Sequence, residues 1–137
     1  MTAAIYTGHC FCGEIRYRVT GPAKNLCFCH CESCRRAAGA PFIAWGTFDR
    51  YKFTLLDGQL TQHRSSPQVT RGFCNTCGTS LTYYHDARDE DIDVTLVTLD
   101  DSSSLTPEYH IWLADKLPWI KIQDGLPQYA RYRADDA

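Results

Sequence analysis

Short runs in which apolar and polar residues alternate recur along this chain. Ile15, Tyr17 and Val19 alternate with Glu14, Arg16 and Arg18, the period of a strand with one buried face. Gly21-Pro22 ends that run. Phe42 to Phe48, with Ile43 and Trp45, predicts another strand. Phe53 to Leu56 and Leu60 to His63 predict two more, and Asp57-Gly58 between them is the signal of a hairpin turn. Gln68 to Phe73 runs as a strand into Cys74, and Leu81 to Tyr84 leaves Cys77, which puts that cysteine pair on a turn. Ile92 to Leu99 alternates throughout, with Ile92, Val94, Leu96 and Thr98 on one face. One short helix is expected from Arg35 to Ala38, stopped by Gly39 and Pro41. Strands this short and this frequent predict a mostly β fold.

Composition narrows the class. The 137 residues suit one domain, and no repeat or linker divides them. We expect a single domain over 1–137, with the acidic tail 134–137 disordered. Hydrophobic residues are 44% and charged residues 22%, as in globular proteins. The net charge is −2 and the basic residues are scattered, so no nucleic-acid partner is expected. No charged segment followed by an apolar run opens the chain, and no apolar stretch approaches the length of a membrane span. A cytoplasmic protein without a membrane partner is expected.

The eight cysteines change the picture. They fall as Cys10-x-Cys12, then Cys27-x-Cys29-x-Cys31-x-x-Cys34, then Cys74-x-x-Cys77. Neighbours this close seldom meet the geometry of a disulfide. Clustered thiols in a reducing compartment are more often metal ligands or redox groups. Cys74-Asn75-Thr76-Cys77-Gly78 is a metal knuckle, two thiolates on a tight turn with a glycine after them. It supplies two of the four ligands a structural zinc needs. Cys10-Phe11-Cys12-Gly13 is the natural source of the other two.

The middle cluster differs. In an extended stretch Cys29 and Cys31 point to one side and His30 to the other, and Cys34 returns to them if the chain turns at Glu32-Ser33. Three protein ligands leave a fourth position open, the arrangement of a catalytic zinc. Cys27, two residues earlier on the same face, is open to two readings: a fourth ligand that closes the site, or a small hydrophobe packed in the strand. An iron–sulfur cluster is a poorer match, because its familiar spacing puts two residues between successive cysteines.

Three segments carry a resemblance in this order: Gly8-His9-Cys10-Phe11-Cys12-Gly13-Glu14-Ile15-Arg16-Tyr17, Cys29-His30-Cys31-Glu32-Ser33-Cys34-Arg35-Arg36 and Phe73-Cys74-Asn75-Thr76-Cys77-Gly78-Thr79. Together they resemble the glutathione-dependent formaldehyde-activating enzyme family. Tyr109-His110-Ile111-Trp112, Pro118-Trp119 and Asp124-Gly125-Leu126-Pro127 are similar to its C-terminal part. The likeness runs from about residue 8 to about residue 129. It implies a β-tent of packed antiparallel sheets, with Cys10, Cys12, Cys74 and Cys77 on a structural zinc. It also implies that Cys29, Cys31 and Cys34 hold a catalytic zinc. The implied activity is that of a carbon–sulfur lyase run in reverse, joining formaldehyde to glutathione as S-hydroxymethylglutathione. The implied partners are a small thiol such as glutathione and an aldehyde.

Three thiolates on Zn²⁺ leave a net negative site, which Arg35 and Arg36 would offset; the plainer reading of both is a solvated helix face. His30 reads either as a donor supporting the ligands or as a packed histidine. Trp45, His110, Trp112 and Trp119 are candidates for a pocket wall, with ordinary core packing as the alternative for the tryptophans. The rival to an enzyme is a non-catalytic zinc-binding module that binds a protein partner. Cys27 as a fourth ligand would favour the module, and an open three-thiolate site the enzyme. Purified protein is expected to carry about one to two zinc ions per chain and no iron, which elemental analysis with an acid-labile sulfide assay will check.

Overall fold

Alternation decides which side of each strand is covered. Ile15, Tyr17 and Val19 are 1%, 1% and 0% exposed, while Glu14, Arg16 and Arg18 face water. The computed structural model describes residues 3–133, so the expected disordered tail lies outside the described residues. The elements are β1 (Ile5–His9), β2 (Arg16–Thr20), β3 (Lys24–Cys29), α1 (Glu32–Ala38), β4 (Ile43–Asp49), β5 (Phe53–Asp57), β6 (Thr61–Ser66), β7 (Val69–Phe73), β8 (Ser80–His85), β9 (Asp91–Thr95) and β10 (Tyr109–Ile111).

Two sheets form. One is three-stranded, in the order β1-β2-β5, and the other is seven-stranded, in the order β10-β3-β4-β9-β8-β7-β6. All pairings are antiparallel except β10 with β3, which is parallel and sets Tyr109 beside Cys27 and Ile111 beside Cys29. The fold is therefore mostly β, as the pattern predicts. No helix among the described residues is long and apolar enough to cross a membrane.

Strand β4 serves two cores, because successive side chains leave it in opposite directions. Ala44 and Phe48 join Ile15, Tyr17, Val19, Leu81, Val94 and Leu96 in the core that the two sheets share. Ile43 and Trp45 join Cys27, Cys29, Cys34, Tyr109 and Ile111 in the second. The first core leaves little room at β4: a Cβ on Gly46 would meet Leu96 at 2.7 Å. The second core carries the clustered cysteines of β3 and α1.

The expected hairpin at Asp57-Gly58 does not form. β5 pairs with β2 in the small sheet and β6 with β7 in the large one, so the segment between them crosses from sheet to sheet. Gly58 is needed for that crossing. Its φ is +74°, and a Cβ there would stand 2.7 Å from the Glu14 carbonyl oxygen. The expected strand 92–99 stops at Thr95 and continues as a 3-10 turn over Leu96–Thr98. Thr95 Oγ1 donates to the Ser80 carbonyl and Thr98 Oγ1 to the Thr95 carbonyl, satisfying the buried turn. Ile92, Val94, Leu96 and Thr98 are all buried as expected. Helix α1 starts three residues before the expected Arg35, at Glu32, because Cys31 caps it: its sulfur accepts from the Cys34 N–H at 3.3 Å. Gly39 closes it in the left-handed conformation.

Phe48 is fully buried and meets Tyr6 edge-on at 6.0 Å between ring centres. Phe48→Ala is expected to cost about 3–5 kcal/mol of stability, measured as a shift in the urea midpoint.

Candidate metal centres

Two similar turns build the first cluster. After β1 the chain folds back so that Gly13 N–H donates to the Cys10 carbonyl at 3.0 Å, with Gly13 at φ +80°. After β7, Gly78 N–H donates to the Cys74 carbonyl at 2.8 Å, with Gly78 at φ +81°. Only glycine adopts that backbone readily, which is why each cysteine pair is followed by one. Backbone N–H groups also reach the sulfurs: Ile15 to Cys10 at 3.3 Å and Cys77 to Cys74 at 3.4 Å.

Thr79 joins the two turns. Its hydroxyl oxygen accepts from Phe11 N–H at 3.0 Å and lies 3.2 Å from the Cys77 sulfur. The Thr79 hydroxyl and backbone together hold the Cys77 thiol down to about 5. Thr76 donates to the Glu14 carboxylate, a second tie between the turns.

The sulfurs of Cys10, Cys12, Cys74 and Cys77 all lie within 4.8 Å of one another. A tetrahedral zinc with bonds of about 2.3 Å needs sulfurs about 3.8 Å apart. Cys10 to Cys12 is 3.6 Å and Cys12 to Cys74 is 3.8 Å. A soft, all-sulfur donor set at this spacing fits zinc.

The second cluster, Cys29, Cys31 and Cys34, also has its sulfurs within 4.8 Å of one another. Strand β3 delivers Cys29, the cap position delivers Cys31, and the first turn of α1 brings Cys34 back. Gathering three thiols forces their ionisation apart. Cys34 is held down to about 2 by hydrogen bonds from Cys29 and Cys31 and by the Arg71 guanidinium. Cys29 is pushed well up by its hydrogen bonds with Cys31 and Cys34 and by burial. Without a cation the cluster favours one thiolate; three thiolates together require positive charge among them. Cys27 is not among the sulfurs of this group, although it is buried on the same strand face and lines the same cleft.

Arg71 on β7 was not singled out by sequence reasoning. Both of its terminal nitrogens stand 3.8 Å from the Cys34 sulfur, and its guanidinium lies over the Tyr83 ring at 5.0 Å. The expected cations look elsewhere: Arg35 donates to the His30 carbonyl and Arg36 pairs with Glu32 on the surface. The available signal was the alternation of β7, which puts Arg71 on the same face as buried Val69.

The three sulfurs open into a cleft of about 540 Å³. Trp45 and Trp112 line it, as the candidate wall predicts. Trp119 does not; it is 65% exposed. His110 is buried behind the cleft wall rather than in it. Its Nε2 donates to the Asp124 carboxylate at 2.7 Å and its Nδ1 hydrogen-bonds with His30 Nε2 at 2.9 Å. His30 is wholly buried and packs on Phe42. Burial and the neighbouring His110 keep it neutral, with its pKa lowered to about 4. This chain anchors His30 on the side away from the cleft, so Cys29 and Cys31 face the cleft.

The model of the glutathione-dependent formaldehyde-activating enzyme family matches residues 5–115, a span that contains both clusters. This chain belongs to that family. A relative of the family in Halomonas elongata, provisionally named a glutathione-dependent formaldehyde-activating enzyme, is 26% identical over 127 residues, covering 85% of this chain and 80% of that one. An uncharacterized lyase of Schizosaccharomyces pombe is 31% identical over 78 residues. That match covers 57% of this chain and 56% of the yeast protein's length. A crystal structure of a Rhodobacter sphaeroides protein superposes with a TM-score of 0.57 at 21% identity, over 90% of this chain and 98% of that one, a likeness of fold.

Thr79→Val removes the hydroxyl between the two cysteine turns. It is expected to weaken zinc retention by about 10-fold or more, read by competition with a chromophoric chelator.

Proposed function

We propose that this chain is a zinc-dependent enzyme of the carbon–sulfur lyase type, making or breaking the C–S bond of a thiol adduct. Glutathione with formaldehyde, giving S-hydroxymethylglutathione, is the pair that the family description suggests. In this reading Cys10, Cys12, Cys74 and Cys77 hold a structural zinc, and Cys29, Cys31 and Cys34 hold a catalytic one. Cys27 then forms part of the cleft wall and is not a ligand. The observation that most supports the reading is the convergence of three sulfurs, with no fourth in the group, at a cleft large enough for a small molecule.

When bound there, zinc supplies Lewis acidity that lets a substrate thiol ionise near neutral pH. The protein's part is to position and to balance charge. In the forward direction the substrate sulfur adds to the aldehyde carbon. A C–S bond forms, the C=O π pair moves to oxygen, and that oxygen takes a proton from water. In reverse the hydroxyl loses its proton, the C–S bond breaks, and the sulfur leaves with the electron pair. Arg71 beside Cys34 offsets the negative charge that the thiolates bring. The Asp124–His110–His30 chain keeps the Cys29–Cys31 segment from rotating its sulfurs out of the cleft.

The division of roles has a direct test. Cys77→Ser is expected to lower thermal stability strongly, since its cluster ties segments 62 or more positions apart, as in Cys12 with Cys74. Cys34→Ser is expected to stay folded, to lose metal at the second cluster, and to lose turnover of thiol with aldehyde followed by NMR. Equal destabilisation by the two changes would contradict the division. Turnover unaffected by Cys34→Ser, with no thiol entering the metal's coordination shell, would leave the binding-module reading in its place.

A further inference from the structure

The cleft above Cys29, Cys31 and Cys34 has a chemical character of its own. Trp45, Tyr83, Tyr109, Trp112 and Tyr132 all line it. Trp45 and Tyr83 lie 6.0 Å apart between ring centres on the large sheet, and Trp112 and Tyr132 lie 5.4 Å apart, edge to face. The C-terminal segment brings Tyr132 there by running beside β10, where Trp112 N–H donates to the Arg131 carbonyl at 3.0 Å. Arg131 and Arg133 lie over the rings of Trp112 and Tyr109, at 5.9 and 4.2 Å from the ring centres.

Most of the charged groups that line the cleft already have partners. Arg71 is engaged with Cys34 and Tyr83. Arg88 pairs with Asp93 at 3.0 Å and Asp91 at 3.6 Å. Asp115 accepts from the Glu32 N–H, and the Glu32 carboxylate pairs with Arg36. A ligand with two carboxylates and an ammonium group, such as glutathione, would have to break such pairs to satisfy its own charges. A flat apolar body would meet ring faces and edges at no such cost.

Trp112 adds a second, independent sign. Its backbone sits at φ 60°, ψ 38°, a left-handed conformation that bulky side chains rarely adopt. Such a conformation persists where surrounding structure holds it, and here the indole it carries lines the cleft.

On the reading that a thiol adduct reacts at the three-cysteine cluster, we infer that the adduct's body is aromatic: an aryl or aralkyl thiol, held among Trp45, Tyr83, Trp112 and Tyr132, in preference to the glutathione peptide.

The test uses the full chain loaded with cobalt(II), whose sulfur-to-cobalt charge-transfer band reports thiol entry without turnover. Benzyl mercaptan, 2-mercaptoethanol and glutathione are titrated in parallel. Benzyl mercaptan is expected to half-saturate at a concentration at least about tenfold lower than glutathione, the gain from burying a phenyl group. Trp112→Ala and Tyr132→Ala are expected to remove most of that preference, weakening benzyl mercaptan binding several-fold more than 2-mercaptoethanol binding. Glutathione binding as tightly as benzyl mercaptan would overturn the inference and leave the proposed reaction standing. So would a preference that both variants retain. If no thiol alters the cobalt spectrum, the proposed reaction falls and this inference falls with it.

Discussion

Seven thiols drawn into two tight groups impose a charge constraint that governs much of this molecule. Sulfurs within 4.8 Å of one another cannot all ionise unless positive charge is placed among them. The protein supplies part of that charge itself, through N–H groups aimed at sulfur in the first cluster and through Arg71 in the second. A zinc ion would supply the rest. In the first cluster the ion would also act as a cross-link, because Cys10 and Cys12 follow β1 of the small sheet while Cys74 and Cys77 join β7 to β8 of the large one. Its binding energy would then be folding energy.

The second cluster meets the same constraint with a different outcome. Its ligands come from one short stretch, so it ties little of the fold together, and it faces a cleft. What it needs from the fold is orientation. β4 supplies the floor through Trp45, β10 and the C-terminal segment supply Trp112 and Tyr132, and β7 supplies Arg71. Beneath this a hydrogen-bonded chain runs from Asp124 at the surface to buried His110 and His30. Those two histidines sit where apolar side chains would otherwise pack, His110 stacked on Phe28 and His30 tilted against Phe42. The polar chain is tolerable because Asp124 reaches the surface, so its carboxylate stays hydrated while holding His110.

Much of this was legible in the residues. The alternation in 14–19 identified β2 and its buried face, and the cysteine spacings set Cys10, Cys12, Cys74 and Cys77 apart from Cys29, Cys31 and Cys34 while leaving Cys27 open. The strands on either side of Cys74 and Cys77 were readable for the same reason: a turn motif between two apolar runs is a local signal. Strand β10 was not readable, because all three of its residues are buried and no alternation marks them. The Asp57-Gly58 turn misled because a Gly at positive φ serves a sheet-to-sheet crossing as well as a hairpin.

The sequence by itself determined the mostly β class, the local ligand pairs of cysteines, and the face of β3 shared by Cys27 and Cys29. These follow from spacing along the chain, since ligand pairs and strand faces are set by neighbours two or three residues apart. Only the tertiary structure decided that Arg71 rather than Arg35 or Arg36 meets Cys34, that Trp119 stays outside the cleft, and that Asp124 fixes His30 through His110. Each of those depends on strand register and on which sheet a segment joins. Contacts between residues 37 or 80 positions apart, such as Arg71 with Cys34 or His30 with His110, leave no periodic mark on the chain.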